Sequence, residues 1–116
     1  MRTGELIHRV TIQVPLEVSD DHDGLADPTW VPVQARIPAK VMPLQGRDLE
    51  RARQIEPRTS HEVTTRFWRN YRHDTRGGRC RIVYHDQEDR VLEVVAPAVD
   101  VDERHEEVRM LAREAA

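Results

Sequence analysis

The stretch GELIHRVTIQVP, residues 4–15, alternates between two kinds of side chain almost from the first methionine. Every second residue falls on one side of an extended chain: Leu6, His8, Val10, Ile12 and Val14. A period of two over this length predicts a β-strand with one buried face.

A second alternating run, WVPVQARIPAKV, covers residues 30–41. Its predicted apolar face consists of Val31, Val33, Ala35, Ile37, Ala39 and Val41. Pro32 and Pro38 interrupt the other face, and a proline has no N–H to donate to a neighbouring strand. The run therefore predicts a strand that lies at an edge or contains a bulge.

One short helix is predicted over about residues 46–56, where Leu49, Ala52 and Ile55 form a narrow apolar stripe and Pro57 ends the pattern. The other predicted strands are residues 60–68, 80–85, 90–96 and 106–113. These elements predict a mainly β fold: a small antiparallel β-barrel or sandwich of five to six strands with one short α-helix. The 116 residues are expected to form a single domain, 1–116.

Composition limits the class of protein. The only cysteine, Cys80, cannot form an internal disulfide, which fits a reducing interior such as a bacterial cytoplasm. Polar residues near the start interrupt any signal peptide, and no run of about 18 apolar residues is present. No membrane partner is expected.

Charge is unevenly distributed along the chain. The net charge of −3 argues against a dedicated nucleic-acid-binding protein. Residues 58–81 contain seven arginines and two acids, whereas residues 82–116 contain ten acids and four arginines. Two interpretations remain open: these segments pair between neighbouring copies, or they form an ordinary solvated surface.

No catalytic or metal-binding pattern emerges from the sequence. The histidines are scattered, without the close spacing of zinc ligands: His8, His22, His61, His73, His85 and His105. Cys80 is in phase with Ile82 and Tyr84, which favours a core position, although a Cys–His pair remains open. We therefore expect no catalytic residue, no metal, no cofactor and no enzymatic activity.

An alternative function comes from TRFWRNYRHDTRGGR, residues 65–79, where three aromatic residues alternate with five arginines. Such interleaving is typical of single-stranded nucleic acid binding, and it would suit a small OB-like barrel. The competing interpretation is that Phe67 and Trp68 end a strand and that the arginines lie on exposed turns.

Four segments in order resemble one protein family. They are GELIHRVTIQ (4–13), ARIPAKVMPLQGRDLERARQ (35–54), SHEVTTRFW (60–68) and VDVDERHEEVRMLARE (99–114). Together they resemble the head–tail joining proteins of long-tailed phages and gene transfer agents, also called head-completion, stopper or adaptor proteins. The most specific parts are Ala39–Asp48 and Asp100–Glu107. The proline-rich second strand and the segment RNYRHDTRGGR depart from the family pattern.

The resemblance implies a role as well as a fold. A small β-barrel with one helix would assemble as a homo-oligomeric ring on the head–tail connector of the virion, in the cytoplasm of the bacterial host. A barrel in such a ring would close its first strand against a late one, so that neither end of the sheet is left ragged. The portal and its adaptor would lie above, and a tail-terminator or tail-tube protein below. Packaged double-stranded DNA would pass through the ring or be retained by it. No enzymatic chemistry is implied.

Two groups of residues are candidates for function in such a ring. Candidate contacts with subunits or partners are the charged residues Arg47, Asp48, Arg69, Arg72, Arg76, Asp102, Glu103 and Arg104. The acidic loop at 17–28 would place Asp20, Asp21, His22 and Asp23 near the channel, where they would repel the phosphate backbone of DNA. The alternative is an ordinary solvated loop on the outside of the ring.

Overall fold

The structure is a computed structural model that describes residues 7–16, 29–76 and 80–114. The strands of this part of the chain are β1 (His8–Pro15), β2 (Trp30–Pro43), β3 (His61–Arg66), β4 (Arg81–His85), β5 (Asp89–Val94), β6 (Val99–Asp100) and β7 (Glu107–Glu114). The helices are α1 (Gly46–Ile55), α2 (Tyr71–Asp74) and a 3-10 helix, Val101–Glu103. Neither α-helix has the length and apolar character needed to span a membrane.

The strands form a closed antiparallel barrel. Their order is β3-β2-β1-β4-β5-β7, and β3 pairs again with β7 over six residue pairs, from His61↔Ala112 to Arg66↔Glu107. The prediction of a small antiparallel barrel with a short helix at 46–56 is confirmed. Three small elements were not predicted: α2, the 3-10 helix, and β6, which pairs with the first half of β7.

The expected partner of the first strand is wrong. Strand β1 lies between β2 and β4, and neither is late in the chain. The barrel closes instead through β3 and β7. Because β4 returns to the free side of β1, the last strand meets the exposed edge of β3.

The core fills the inside of the barrel with alternate residues of each strand. Its fully buried apolar side chains include Val10, Ile12, Val63, Ile82, Leu92, Val108 and Met110. Cys80 is also buried there, which confirms its predicted core position. Residues between these positions point outward. The period of two in the sequence therefore reflects the alternation of inward and outward side chains along each barrel strand.

Strand β2 contains the predicted bulge. The register with β1 shifts twice, between Val10 and Gln13, so that β2 has two extra residues. Arg36 takes a left-handed conformation there, with φ of 48°, and its N–H donates to Thr11 Oγ1. Ala35 is exposed in the bulge, contrary to its predicted place on the apolar face. Because the bulge adds two residues, odd-numbered residues of β2 face the same side of the sheet before and after it, and the alternation continues beyond the bulge.

Within the described part of the chain, the prolines lie where the other edge of β2 has no partner. There only Ala39–Pro43 of β2 pairs with β3, and the stretch that contains Pro32 and Pro38 bonds to β1. A missing N–H is tolerated at such an edge. Both parts of the sequence prediction, the edge and the bulge, are confirmed.

Helix α1 makes limited contact with the barrel. Gly46 begins it with φ of 59°, a conformation that glycine adopts without strain. Of the predicted apolar stripe, Ala52 is buried and Leu49 half-buried, but Ile55 is 72% exposed. The apolar stripe therefore predicts the buried face of α1 correctly over the first two turns and fails at Ile55.

Candidate assembly surfaces

The segment that follows β6 is a compact turn built on one buried carboxylate. Asp100 accepts a hydrogen bond from the backbone N–H of His105 at 3.0 Å, and His105 Nδ1 lies 2.7 Å from its other oxygen. Asp102, Glu103 and His105 all have positive φ, near 55°. That conformation is unfavourable for large side chains, and the contacts of Asp100 offset its cost. As a result Asp102 and Glu103 are held out in solvent.

The loop around α2 is fixed by side chains that reach back into the barrel. Trp68 Nε1 donates to Asp74 at 2.8 Å. The Thr75 hydroxyl donates to the carbonyl of Tyr71 at 2.7 Å and accepts from the N–H of Ala98 at 3.2 Å. These bonds hold the loop while three predicted contact residues on it remain exposed: Arg69, Arg72 and Arg76.

The aromatic residues of this loop belong to the core. Trp68 and Tyr71 are 9% and 6% exposed, and their rings meet edge to face. Phe67 is half-buried and packs against the ring of His105 at 4.8 Å. A platform for single-stranded nucleic acid needs ring faces open to bases, so this arrangement does not suit the alternative function.

Two of the predicted contact residues lie at the same groove. Asp48 on α1 and Asp102 on the 3-10 helix both line it. The hydroxyl of Tyr71 accepts a hydrogen bond from Arg72 and raises the pKa of its guanidinium, and Glu103 and Asp100 of the same chain contribute further.

The remaining predicted contact residues are also exposed: Arg47, Glu103 and Arg104. The proposed channel residues, Asp20 to Asp23, lie outside the described residues. Their place near the channel is therefore still a prediction.

The groove itself was not predicted. It has a volume of about 600 Å³ and lies between α1, the segment 99–102 and the outer faces of β3 and β7. Its apolar lining consists of Met42, Leu44, Ala52, Ile55, Val99, Val101 and Leu111. Ile55 ends the apolar stripe of α1 and Val99 ends the apolar run VVAPAV (94–99), so the sequence alone marks neither as an exposed side chain. Which face they share depends on β6, which no periodicity indicated.

Burial governs the chemistry of the one cysteine. The Cys80 side chain lies in the core, and burial raises the pKa of its thiol to about 12. A thiol with such a pKa has almost no thiolate near neutral pH and is a poor nucleophile. Within residues 7–16, 29–76 and 80–114, no group of three His, Cys, Asp or Glu residues could hold a metal ion.

Comparison with known proteins identifies the family. A family model described as phage head completion protein matches residues 1–115. The chain belongs to this family. Head completion proteins are structural proteins of the phage particle and interact with other virion proteins at the head–tail junction. The resemblance seen in the four sequence segments is thereby confirmed. No curated protein matches the chain.

Proposed function

We propose that this head completion protein forms a ring at the head–tail interface, below the portal and its adaptor and above the tail-terminator or tail-tube protein. The ring closes the channel after DNA packaging and offers the surface on which the tail docks. It is assembled in the cytoplasm of the bacterial host. The observation that carries this proposal is the family match over residues 1–115.

The barrel supports a structural role of this kind. Closure through β3 and β7 leaves few unpaired strand edges among the described residues, so copies can meet through side chains without uncontrolled strand pairing. The part of the sequence that most suggested chemistry, around Cys80, is core. We therefore propose a protein that acts by assembly and has no catalytic function.

The charged residues at the groove and around it are the proposed contacts of the ring. Asp48 and Asp102 line the groove, and Arg47, Glu103 and Arg104 are exposed on the same two segments. The exposed arginines of the α2 loop extend this charged region: the pKa of Arg72 is raised mainly by its hydrogen bond to Tyr71 and further by the charges of Glu103 and Asp100. Exposed charges contribute more to the orientation and specificity of an interface than to its affinity.

Deletion of the gene tests the proposal. Particles made without the protein should package DNA and then lose it, and they should carry no tail. Expression of the protein from a plasmid should restore both properties. Electron microscopy of restored particles should show a ring of this protein between portal and tail. Tailed particles that keep their DNA without the protein would contradict the proposal.

A further inference from the structure

The groove exposes more apolar surface than an isolated barrel needs. Ile55 is 72% and Val99 60% exposed, and Met42 is 37% exposed beside them. All three lie on the outer surface, where a monomer gains nothing from apolar side chains. Contiguous apolar surface bordered by charge marks a site at which another protein docks.

The border of the groove carries two carboxylates with no partner of their own. Asp48 and Asp102 are exposed, and no cation of the described residues lies within ion-pair distance of either. The other acid of the groove, Glu62, is bound to Arg109 at 3.1 Å, and a second arginine of the lining, Arg51, is exposed on α1. An occupant that brings an apolar side chain and a cation would satisfy both parts of the groove.

Strands β1, β2 and β4 have the opposite character. They are adjacent in the barrel, and together they contain four cations and no acid: Arg9, Arg36, Lys40 and Arg81. Arg81 is held by Gln13 and by the ring of Trp30. For the other three, no carboxylate among the described residues lies within ion-pair distance.

The cations of β5 and β7 differ, because each is paired within the chain. Arg90 binds Glu114, and Arg113 binds Glu93 at 2.8 Å. Among the barrel strands, the cations that remain available to a partner therefore lie on β1, β2 and β4, whereas other exposed arginines lie on α1, the α2 loop and the turn after the 3-10 helix. The side formed by β1, β2 and β4 also ends in an apolar residue: Ile7, directly before β1, is 75% exposed. Ile7 and Arg9 are two residues apart, so both point outward from the same face.

The two surfaces are placed as a ring requires. In the closed barrel β7 lies three strands from β1 in either direction, which puts it across the barrel. A ring is built from heterologous contacts, in which one surface of each copy meets a different surface of the next. Ile7 does not line the groove of its own chain, so it is available to a neighbour.

We propose that, in the ring, Ile7 of one copy inserts between Ile55 and Val99 in the groove of the next copy, and that Arg9 pairs with Asp48 and Asp102 at its border. The occupant of the groove is thus a second copy of this chain. This inference rests on the proposed ring and names the surfaces that form it.

A pair of introduced cysteines tests the contact directly. The double variant Ile7→Cys with Val99→Cys is incorporated into particles, which are then oxidised mildly and analysed on a non-reducing gel. Cys80 is buried and does not compete. Within one chain, β2, β3 and β7 separate the two positions, so a disulfide must join different copies. The matched control is Leu16→Cys with Val99→Cys, because Leu16 is exposed at the other end of β1.

Each outcome decides something different. A ladder of linked copies from the first pair but not from the control supports the inference. Incorporation without a ladder, or an equal ladder from the control, overturns the contact and leaves the proposed ring intact. Absence of even the unchanged protein from particles overturns the proposed function, and the inference with it.

A charge exchange covers the case in which the cysteine variants assemble poorly. Arg9→Glu should lower incorporation into particles by at least about tenfold. Asp48→Arg together with Asp102→Arg should restore it in the same chain, since the pairing is then reversed. Failure of the exchange to restore incorporation, with both variants folded, would overturn the pairing.

Discussion

Single buried polar residues hold the exposed segments of this protein in place. Thr75 is 1% exposed and joins α2 to the segment before β6, through the carbonyl of Tyr71 and the N–H of Ala98. Asp100 plays the same part for the turn at 102–105. Neither residue is one of the predicted contact residues. Their effect on assembly is therefore indirect, through the position of the charged side chains that follow them.

Replacement of Thr75 by valine should destabilise the fold. Valine has the same shape but leaves the buried N–H of Ala98 without an acceptor, which costs about 1–3 kcal/mol of unfolding free energy. Urea denaturation followed by circular dichroism measures the change. The same substitution at exposed Thr29 is the control and should change stability by less than about 0.5 kcal/mol. Equal effects at both positions would contradict this role.

His61 should make stability dependent on pH. Burial lowers its pKa, Glu114 opposes this shift, and Arg90 adds to it. A histidine in the unfolded chain titrates near 6.5, so the unfolded state takes up the proton first as the pH falls. The contribution of His61 to stability is then fully present above about pH 6.5 and declines below it.

Denaturation at about pH 7.5 and pH 5 measures this contribution. The unchanged protein should lose more unfolding free energy on acidification than His61→Gln does. His73→Gln, at an exposed position of α2, is the control and should behave like the unchanged protein. A pH dependence that survives in His61→Gln would assign the effect to other groups.

At the scale of elements, the sequence predicts what depends on local pattern. Alternation located the six long strands, and the two prolines indicated both the free edge and the bulge of β2. Which strands pair depends on contacts distant in sequence, so β1 was assigned the wrong partner. The groove needs β6, a strand of two residues with no period, placed by the barrel against β7. The apolar lining of the groove therefore could not be predicted from the sequence alone.

Helix α1 offers two apolar residues with opposite expected behaviour. Ile55→Lys should change the unfolding free energy of the free protein by less than about 0.5 kcal/mol, because the side chain is already exposed. It should nevertheless reduce incorporation into particles, since it places a charge in the groove. Ala52→Lys, at a buried position, should cost about 2 kcal/mol or more. A clear loss of unfolding free energy in Ile55→Lys would contradict this prediction, because poor folding could then explain the reduced incorporation.

At the scale of the whole molecule, closure and charge act together. The barrel wall satisfies its backbone internally through β3 and β7, which leaves side chains to specify how copies meet. Cations on β5 and β7 are already neutralised within the chain, whereas those on β1 and β2 are not. An assembly that uses available charge should therefore weaken as the salt concentration rises.

The arginines of the α2 loop give the last test, at the same scale. The change of Arg69, Arg72 and Arg76 to glutamate should reduce incorporation into particles several-fold, because three exposed cations become anions in the charged region around Glu103. The melting temperature of the free protein should change little, since none of the three is part of the core.

The matched control replaces the same residues by lysine, which keeps the charge but not the planar fork of the guanidinium. Normal incorporation of the lysine variant together with loss of the glutamate variant would assign the effect to charge. Equal incorporation of the glutamate variant and the unchanged protein would remove these arginines from the interface.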